Sequence, residues 1–575
     1  METSGSTCFR SRAGGARTEA ASLIAQTQFA TLHGVVNQLY YGDNLQVLRE
    51  HIADESVDLI YLDPPFNSKR DYNLLFKSPK GQASAAQIEA FEDTWHWNEQ
   101  AEREFDELLH QPKTQVADMM RALRGFLGEN DMMAYLTMMA NRLLELHRAL
   151  KLTGSLYLHC DPTASHYLKI VLDGVFGKMS FESEIVWKRT SSHGNVDRAF
   201  GDNTDTIFFY AKGPDYVWNQ LYTNYSEKHL SEKFASVDES GRRFTTSDLR
   251  NPGVRPNLHY AFTASNGVTY EPHPNGWAVS REVMEQYDRE GRLYFPKDPK
   301  GRMRLKRFLD ETKGHKMQSL WDDIPPINSQ AEERLGYPTQ KPLALLERII
   351  QASSNEGDVM LDPFCGCGTA VDAAHELKRK WIGIDITHLA ISLIEKRLKD
   401  RYGARCKFEV HGTPKDLDGA RNLAERDKYQ FQWWAVSLVE AQPFQGKKKG
   451  ADTGIDGVKF FRDLDRKEVR KLVVSVKGGG IKPDDVRSLN HVREREKAEI
   501  ALFISLEQPT LAMVKDAASV GFYESATGKK FARVQLLTIE GLLNNTQRAE
   551  HPDYEPNLNF KKAKHESNDE QPQLI

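Results

Sequence analysis

Two stretches of the chain alternate strand and helix signals, and this alternation restricts the fold more than any other feature. In residues 34–63, "QLYYGDN" reads as a strand and turn, "LQVLREHI" as a short helix and "VDLIYLD" as the next strand. In residues 337–400 a helix is expected in "LALLERIIQASS", a strand in "DVMLDPF", a helix in "AVDAAHELK", a strand in "KWIGIDI" and a helix in "LAISLIEKRL". Such alternation predicts a mainly parallel, doubly wound α/β sheet. Residues 131–180 read as mostly helical around the apolar strand "GSLYLHCD". Residues 181–336 differ: they are rich in Tyr, Trp, Asn, Pro and Gly and break into short segments. A polar stretch at 413–430 reads as a linker, and a smaller α/β segment as running over 431–545. The polar tail 546–575 and the lead 1–30 read as disordered.

At 575 residues the chain exceeds one ordinary core, so two to four domains are expected. It holds no apolar run of 18 residues and no apolar signal core near its N-terminus, which argues against a membrane location. Five cysteines over this length suit a reducing compartment, the cytosol. A net charge of −4 does not announce a nucleic-acid protein, so local charge has to be read instead.

The strand "VDLIYL" stops at Asp63-Pro64-Pro65-Phe66. Neither proline has an N–H for a sheet ladder, so the turn is stiff. Asp63 supplies an acceptor, the Pro64 carbonyl a second one in a fixed direction, and Phe66 a flat apolar face. Two acceptors on the N–H groups of an exocyclic amine draw its nitrogen toward tetrahedral geometry and free its lone pair for attack on an electrophilic methyl. The ring stacks a base taken out of the duplex, and catalysis is then largely positioning. A purely structural Pro-Pro turn is the alternative.

In "VMLDPFCGCGTAVDAA" a strand leads through a glycine turn into a helix. Gly366 and Gly368 permit close backbone approach, the helix start at Thr369 favours a negative group, and Asp385 ends the next strand where an acid would bond ribose hydroxyls. The three-glycine dinucleotide fingerprint and the triphosphate loop are both missing. A ribose with a small charged end, as in S-adenosylmethionine, fits; a tight turn in an enzyme of another class remains the alternative. Cys365 and Cys367 have no second Cys or His pair, so no metal is assigned to them.

Together these motifs resemble the amino-group DNA methyltransferases in their β arrangement, in which the D-P-P-[Y/F] half precedes a target-recognition region and then the cofactor half. The resemblance covers residues 34–412. It implies a Rossmann-like, S-adenosylmethionine-dependent sheet, with a catalytic half at 31–180, target recognition at 181–336 and a cofactor half at 337–412. It places Asp43 near the cofactor's adenine and Thr339, Gln340 and Lys341 near its methionine end. Asp362, Phe364, Gly366, Gly368 and Thr369 belong to the cofactor loop, and Asp385 binds the ribose. The aspartate at Asp63 goes mainly with N6-adenine in this family, with N4-cytosine as the alternative. The implied partner is double-stranded DNA in a prokaryotic cytosol or nucleoid, with a homodimer and a restriction subunit as further candidates.

Within 181–336, residues 296–316 hold eight Lys/Arg against three Asp/Glu, making Arg302, Arg304, Lys306 and Arg307 candidate phosphate contacts. Lys188 and Arg189, in "WKRTSSHGN", suit DNA contact as well. The C-terminal segment resembles an Mrr-type restriction-endonuclease domain through Asp456 and Lys477. Glu440 is the candidate helical carboxylate, and Ser475 stands where Glu or Gln is expected. A hydroxyl is a weak ligand for a hard cation such as Mg2+. The domain is therefore expected to bind DNA or to cut it weakly, with Asp456 as a metal ligand if it cuts; a combined restriction-modification enzyme is the alternative.

Overall fold

The computed structural model describes residues 37–65, 95–111, 113–190, 200–298, 301–328, 331, 333–335, 337, 339–444, 454–464 and 468–552, and the backbone of strands Asp71–Lys77 and Ala83–Glu92. Phe66 and the expected disordered lead 1–30 lie outside these residues.

The β-rich run Val57–Leu62 is buried along its whole length, as a strand covered on both faces must be. It divides its side chains between two cores: Val57, Ile60 and Leu62 join one, Leu59 and Tyr61 the other. It lies inside a nine-stranded sheet of order Leu320–Trp321, Phe181–Lys188, Thr204–Ala211, Leu150–Cys160, Val57–Leu62, Val359–Asp362, Lys380–Asp385, Asn37–Tyr41, Phe408–His411. From Leu150–Cys160 onward every neighbouring pair is parallel. Thr204–Ala211 adds antiparallel to Leu150–Cys160, and Phe181–Lys188 antiparallel to it.

The two halves of the chain meet at one seam. Val57–Leu62 pairs in parallel with Val359–Asp362, Leu59 opposite Met360 and Ile60 opposite Leu361. The chain leaves the first strand toward Leu150–Cys160 on one side and the second toward Lys380–Asp385 on the other. Ligands of open α/β sheets bind at such a switch point, outside the carboxyl ends of the strands. Asp63 and the glycine loop both follow those ends directly.

Residues 220–318 form a separate compact unit. Its four-stranded antiparallel sheet runs Leu293–Tyr294, Arg304–Phe308, Arg243–Asp248, Ser236–Val237, and Phe262, Trp277, Met284 and Leu305 contribute to its core. The expected recognition region 181–336 is thus too wide. Phe181–Lys188 and Thr204–Ala211 carry apolar residues that the main sheet buries, and Trp187, Ile207 and Phe209 lie in its core.

The C-terminal segment builds a five-stranded sheet of order Gln442–Pro443, Gly457–Arg462, Val469–Lys477, Ile500–Ser505, Val534–Thr538. The expected linker at 413–430 is corrected. Helix Leu417–Arg426, N-capped by Asp416, and helix Lys428–Ser437, N-capped by Asp427, occupy it. They bury Leu423, Phe431 and Trp434 against the sheet, while Trp433 packs on Leu389 and Leu393 of helix His388–Tyr402. The expected disordered tail also starts too early. Gln547 Oε1 accepts from the Thr538 N–H at 2.7 Å, and Gln535 and Glu550 exchange two bonds. Residues 553–575 lie outside the described residues. No described helix is long and apolar enough to cross a membrane.

Candidate active site

A cavity of about 260 Å³ opens at the seam. Asp63, Pro64 and Pro65 form one wall, Phe364, Gly366 and Thr369 another, and Asp43, Asp362, Asp385, Thr339, Gln340 and Lys341 complete the lining. Of the described residues singled out for catalysis or cofactor binding, Gly368 alone does not line it. It stands behind the loop at φ +74°, where a Cβ would sit 2.7 Å from Ile394 Cγ1. Gly366 has φ +49°, and a Cβ there would meet the Tyr337 ring at 3.2 Å. Both glycines are therefore required by backbone conformation as well as by space.

Asp63 caps the strand in an asymmetric setting. Its Oδ2 accepts from Lys341 Nζ at 2.5 Å, in an ion pair with both side chains largely buried. Among the described residues its buried Oδ1 has no hydrogen-bond partner. A lone buried carboxylate oxygen is costly, and the residue that carries it lines the cavity.

Asp385 ends strand Lys380–Asp385, the neighbour of Val359–Asp362. Its carboxylate accepts from the Gly366 N–H at 2.9 Å and from the Thr387 N–H and Oγ1, tying the glycine loop to the next strand. Burial pushes it up to about 6, and those donors work against the rise. Asp362, buried among carboxylates, is pushed well above the usual range, first by burial and then by Asp63 and Asp385, against the Phe364 N–H.

Asp43 is spoken for on both oxygens. Oδ1 caps helix Asn44–His51 through the Leu45 and Gln46 N–H groups, and Oδ2 accepts from Arg142 at 2.8 Å. Arg142 also donates to Asn44 Oδ1, and Asn44 donates to the Pro363 carbonyl at 2.8 Å. This latch fastens the segment after the first strand to the glycine loop. Arg142 was not anticipated; its signal is a cation in the mostly apolar stretch Met132–Leu144 of helix Asp131–Ala149. Tyr61, Trp95, Tyr337 and Ile386, also in the lining, were missed too.

The cavity fits the adenosine-and-amino-acid cofactor inferred from sequence. It offers a buried carboxylate at the strand end beside the glycines, a floor that any Cβ would narrow, and a separate unsatisfied acceptor for a second reactant.

The comparisons agree with this geometry. A DNA methylase family model matches residues 57–396. The chain belongs to that family of N6- and N4-type DNA methylases. Members of the family use S-adenosylmethionine, and the methylase part here has that fold. The type II methyltransferase M.EcaI of Enterobacter cloacae is 31% identical over 264 residues, 46% of this chain and 57% of its own. The StyLTI Mod subunit of a type III restriction-modification enzyme, from Salmonella typhimurium, is 26% identical over 355 residues, 60% of this chain and 50% of its own. The chain thus spans about half the length of these relatives. The solved PvuII DNA methyltransferase (cytosine-N4-specific) is 13% identical, covers 63% of this chain and 86% of its own, and has a TM-score of 0.29, too low to carry weight. A restriction-endonuclease family model matches residues 423–544.

The DNA methylase's proposed cationic contacts fall in two places. In the 220–318 unit, strand Arg304–Phe308 buries Leu305 and Phe308 and leaves Arg304 and Arg307 exposed; Arg302 is exposed and Lys306 half-exposed. Lys188 is exposed at the end of its strand in the main sheet, and Arg189 follows it.

In the C-terminal domain Asp456 and Ser475 come together. Asp456 Oδ2 accepts from the Val476 N–H at 2.7 Å, between Ser475 and Lys477. Lys477 Nζ lies 3.5 Å from Asp485 Oδ1. Glu440 does not join them, which corrects its expected helical position. Helix Lys428–Ser437 ends before it, its φ is +53°, and its carboxylate faces Lys459 Nζ at 3.5 Å. No group of three side chains suited to hold a metal occurs among the described residues. These described residues do not fit a hard cation such as Mg2+, which asks for several carboxylate oxygens.

Proposed function

We propose that the chain transfers a methyl group from S-adenosylmethionine to the N6 amine of adenine at a specific site in double-stranded DNA. The observation that carries the reading is the buried, partnerless Oδ1 of Asp63, beside an Oδ2 held by Lys341. An adenine amine has two N–H donors. Oδ1 takes one, and the Pro64 carbonyl, at the stiff turn, is the second acceptor. Bound S-adenosylmethionine supplies an electrophilic methyl on a sulfonium sulfur. The residues of the chain hold the amine with its lone pair toward that methyl, and the nitrogen sheds its extra proton once it is alkylated. Asp385 would hold the ribose, and Thr339, Gln340 and Lys341 the amino-acid end. The base has to leave the duplex to reach this cavity, at a cost of a few kcal/mol.

The choice of adenine rests on aspartate at position 63, the form that goes mainly with N6-adenine in the resembled family. The 220–318 unit, with Arg302, Arg304, Lys306 and Arg307, would contact the target, together with Lys188 and Arg189 of the main sheet. The C-terminal domain would bind DNA and cut it weakly or not at all, as Ser475 and the paired Lys477 support. The type III Mod relative motivates a restriction subunit as a partner in that case, and a homodimer is the assembly expected of the methylase part. Incubating the protein with unmethylated plasmid and S-adenosylmethionine, then hydrolysing the DNA for nucleoside mass spectrometry, tests the reading. N6-methyldeoxyadenosine supports it; N4-methyldeoxycytidine moves the assignment to cytosine.

A further inference from the structure

Four neighbouring strands carry a single file of polar side chains through the methylase core, and the methyl-transfer step above uses none of them. Arg189 follows Phe181–Lys188, Asp205 stands on Thr204–Ala211, His159 on Leu150–Cys160 and Tyr61 on Val57–Leu62, strands adjacent in that order. Arg189 Nε lies 3.1 Å from Asp205 Oδ1, an ion pair without hydrogen-bond geometry. Asp205 Oδ2 lies 3.0 Å from His159 Nε2, and His159 Nδ1 lies 3.0 Å from the Tyr61 hydroxyl. Tyr61, His159 and Asp205 are essentially inaccessible to solvent, and Trp187 stands edge-on to the imidazole at 5.8 Å.

The protons can be assigned from the partners. Burial, then the carboxylates of Asp63, Asp362 and Asp205, pushes the Tyr61 phenol well up, so it stays neutral and donates to Nδ1. Nε2 then carries the hydrogen and donates to Asp205. Burial works to raise Asp205, but the hydrogen bond from His159, with the charges of Lys341 and Arg189, holds its carboxyl below the usual range.

A buried polar chain of this kind is costly to assemble, and an apolar row in its place is often as stable or more so. Its two ends suggest its use. One end, Arg189, is partly exposed and is a candidate DNA contact. The other, Tyr61, lines the cavity and points to the same face as Asp63, two residues along an alternating strand.

We infer that Arg189, Asp205, His159 and Tyr61 form a positioning relay that fixes the Tyr61 wall and the Asp63 turn in the geometry that receives the target amine, and that links this geometry to Arg189 on the DNA side. The inference rests on the methyltransferase reading. When a phosphate takes Arg189, Asp205 is left to His159 alone and the remaining chain tightens. None of the four needs to touch the reacting atoms.

The test is a double-mutant cycle on the full chain, with tritiated methyl transfer to DNA from a methylation-free host measured under single-turnover conditions. Tyr61→Phe removes one hydroxyl and keeps the ring. Its transfer rate should fall on the order of 10- to 100-fold, the scale of a small misplacement at a reacting centre, with S-adenosylmethionine affinity by calorimetry unchanged. Arg189→Ala should lower both the rate and DNA binding, and Arg189→Lys should restore DNA binding more than rate. In the Arg189→Ala/Tyr61→Phe double variant the rate should fall no further than in the slower single variant. Additive losses would make Arg189 a phosphate contact alone and overturn the relay. Loss of cofactor binding in Tyr61→Phe would overturn it in favour of a structural role. A wild-type protein that binds cofactor but transfers nothing to DNA would instead sink the methyltransferase reading, and the relay with it.

Discussion

The methylase cavity and the C-terminal sheet both carry motif residues at strand ends, and they differ in what those residues lack. In the cavity, Asp63 keeps one carboxylate oxygen buried and unsatisfied while Lys341 holds the other. In the C-terminal sheet the matching residues already have partners: Asp456 the Val476 N–H, Lys477 the Asp485 carboxylate, Glu440 the Lys459 ammonium. A site prepared for a reactant leaves a polar atom waiting at some expense of stability, whereas a satisfied cluster has relaxed toward structure. We therefore read the first region as prepared for a reactant, and propose that the second is a nuclease-like fold turned to binding.

The contrast can be broken most sharply at Asp63. Asp63→Ala should cut methyl transfer on the order of 10²- to 10³-fold or more, as loss of a preorganised hydrogen-bonding group does, and leave cofactor binding by calorimetry intact. A variant that still methylates at the wild-type rate would remove the difference between the two regions. Gly368→Ala is expected to act next most strongly. A Cβ would stand 2.7 Å from Ile394 at φ +74°, so the variant should lose on the order of 1–3 kcal/mol in urea unfolding and bind cofactor weakly.

A pH series sharpens the comparison further. Asp385 has to be ionised to accept from ribose hydroxyls without giving up its Gly366 and Thr387 donors, and burial lifts it to about 6. Cofactor affinity should hold steady above pH 7 and fall as the pH drops through 6; a flat profile between pH 7 and 5 would contradict the role given to Asp385. The smallest effect belongs to the other region. Asp456→Ala should leave methylation of plasmid DNA unchanged and alter no cleavage pattern with added Mg2+. Metal-dependent cutting that disappears in this variant would show that the C-terminal sheet is also a working site.

Most of the methylase part was legible in the sequence because its elements obey local rules. The strand at Val57–Leu62 is written in its β-rich apolar run and stopped by Pro64-Pro65; the glycine loop is written in Gly366 and Gly368, whose positive φ excludes other residues. What escaped is what only tertiary contact decides. Helix Leu417–Arg426 hides in a polar stretch because its apolar face is narrow, and helix Lys428–Ser437 lies mostly beyond that stretch; both draw burial from the neighbouring sheet. The strands at 181–188 and 204–211 look like part of a variable middle until their apolar residues find the main core. Arg142 and the file from Tyr61 to Arg189 unite residues far apart in sequence, as in the 98 positions between Tyr61 and His159, and no local pattern announces them. Glu440 was misplaced for a related reason: a helix end is set by its cap and packing, which composition alone locates poorly.

The most direct measurement is modified-base sequencing of DNA from a methylation-free bacterial host expressing either the wild-type chain or Asp63→Ala. The account predicts N6-methyladenine confined to one short motif with the wild type and none with the variant. Modified cytosine, the same adenine pattern in both strains, or unmodified DNA from a wild-type chain that binds S-adenosylmethionine would contradict it.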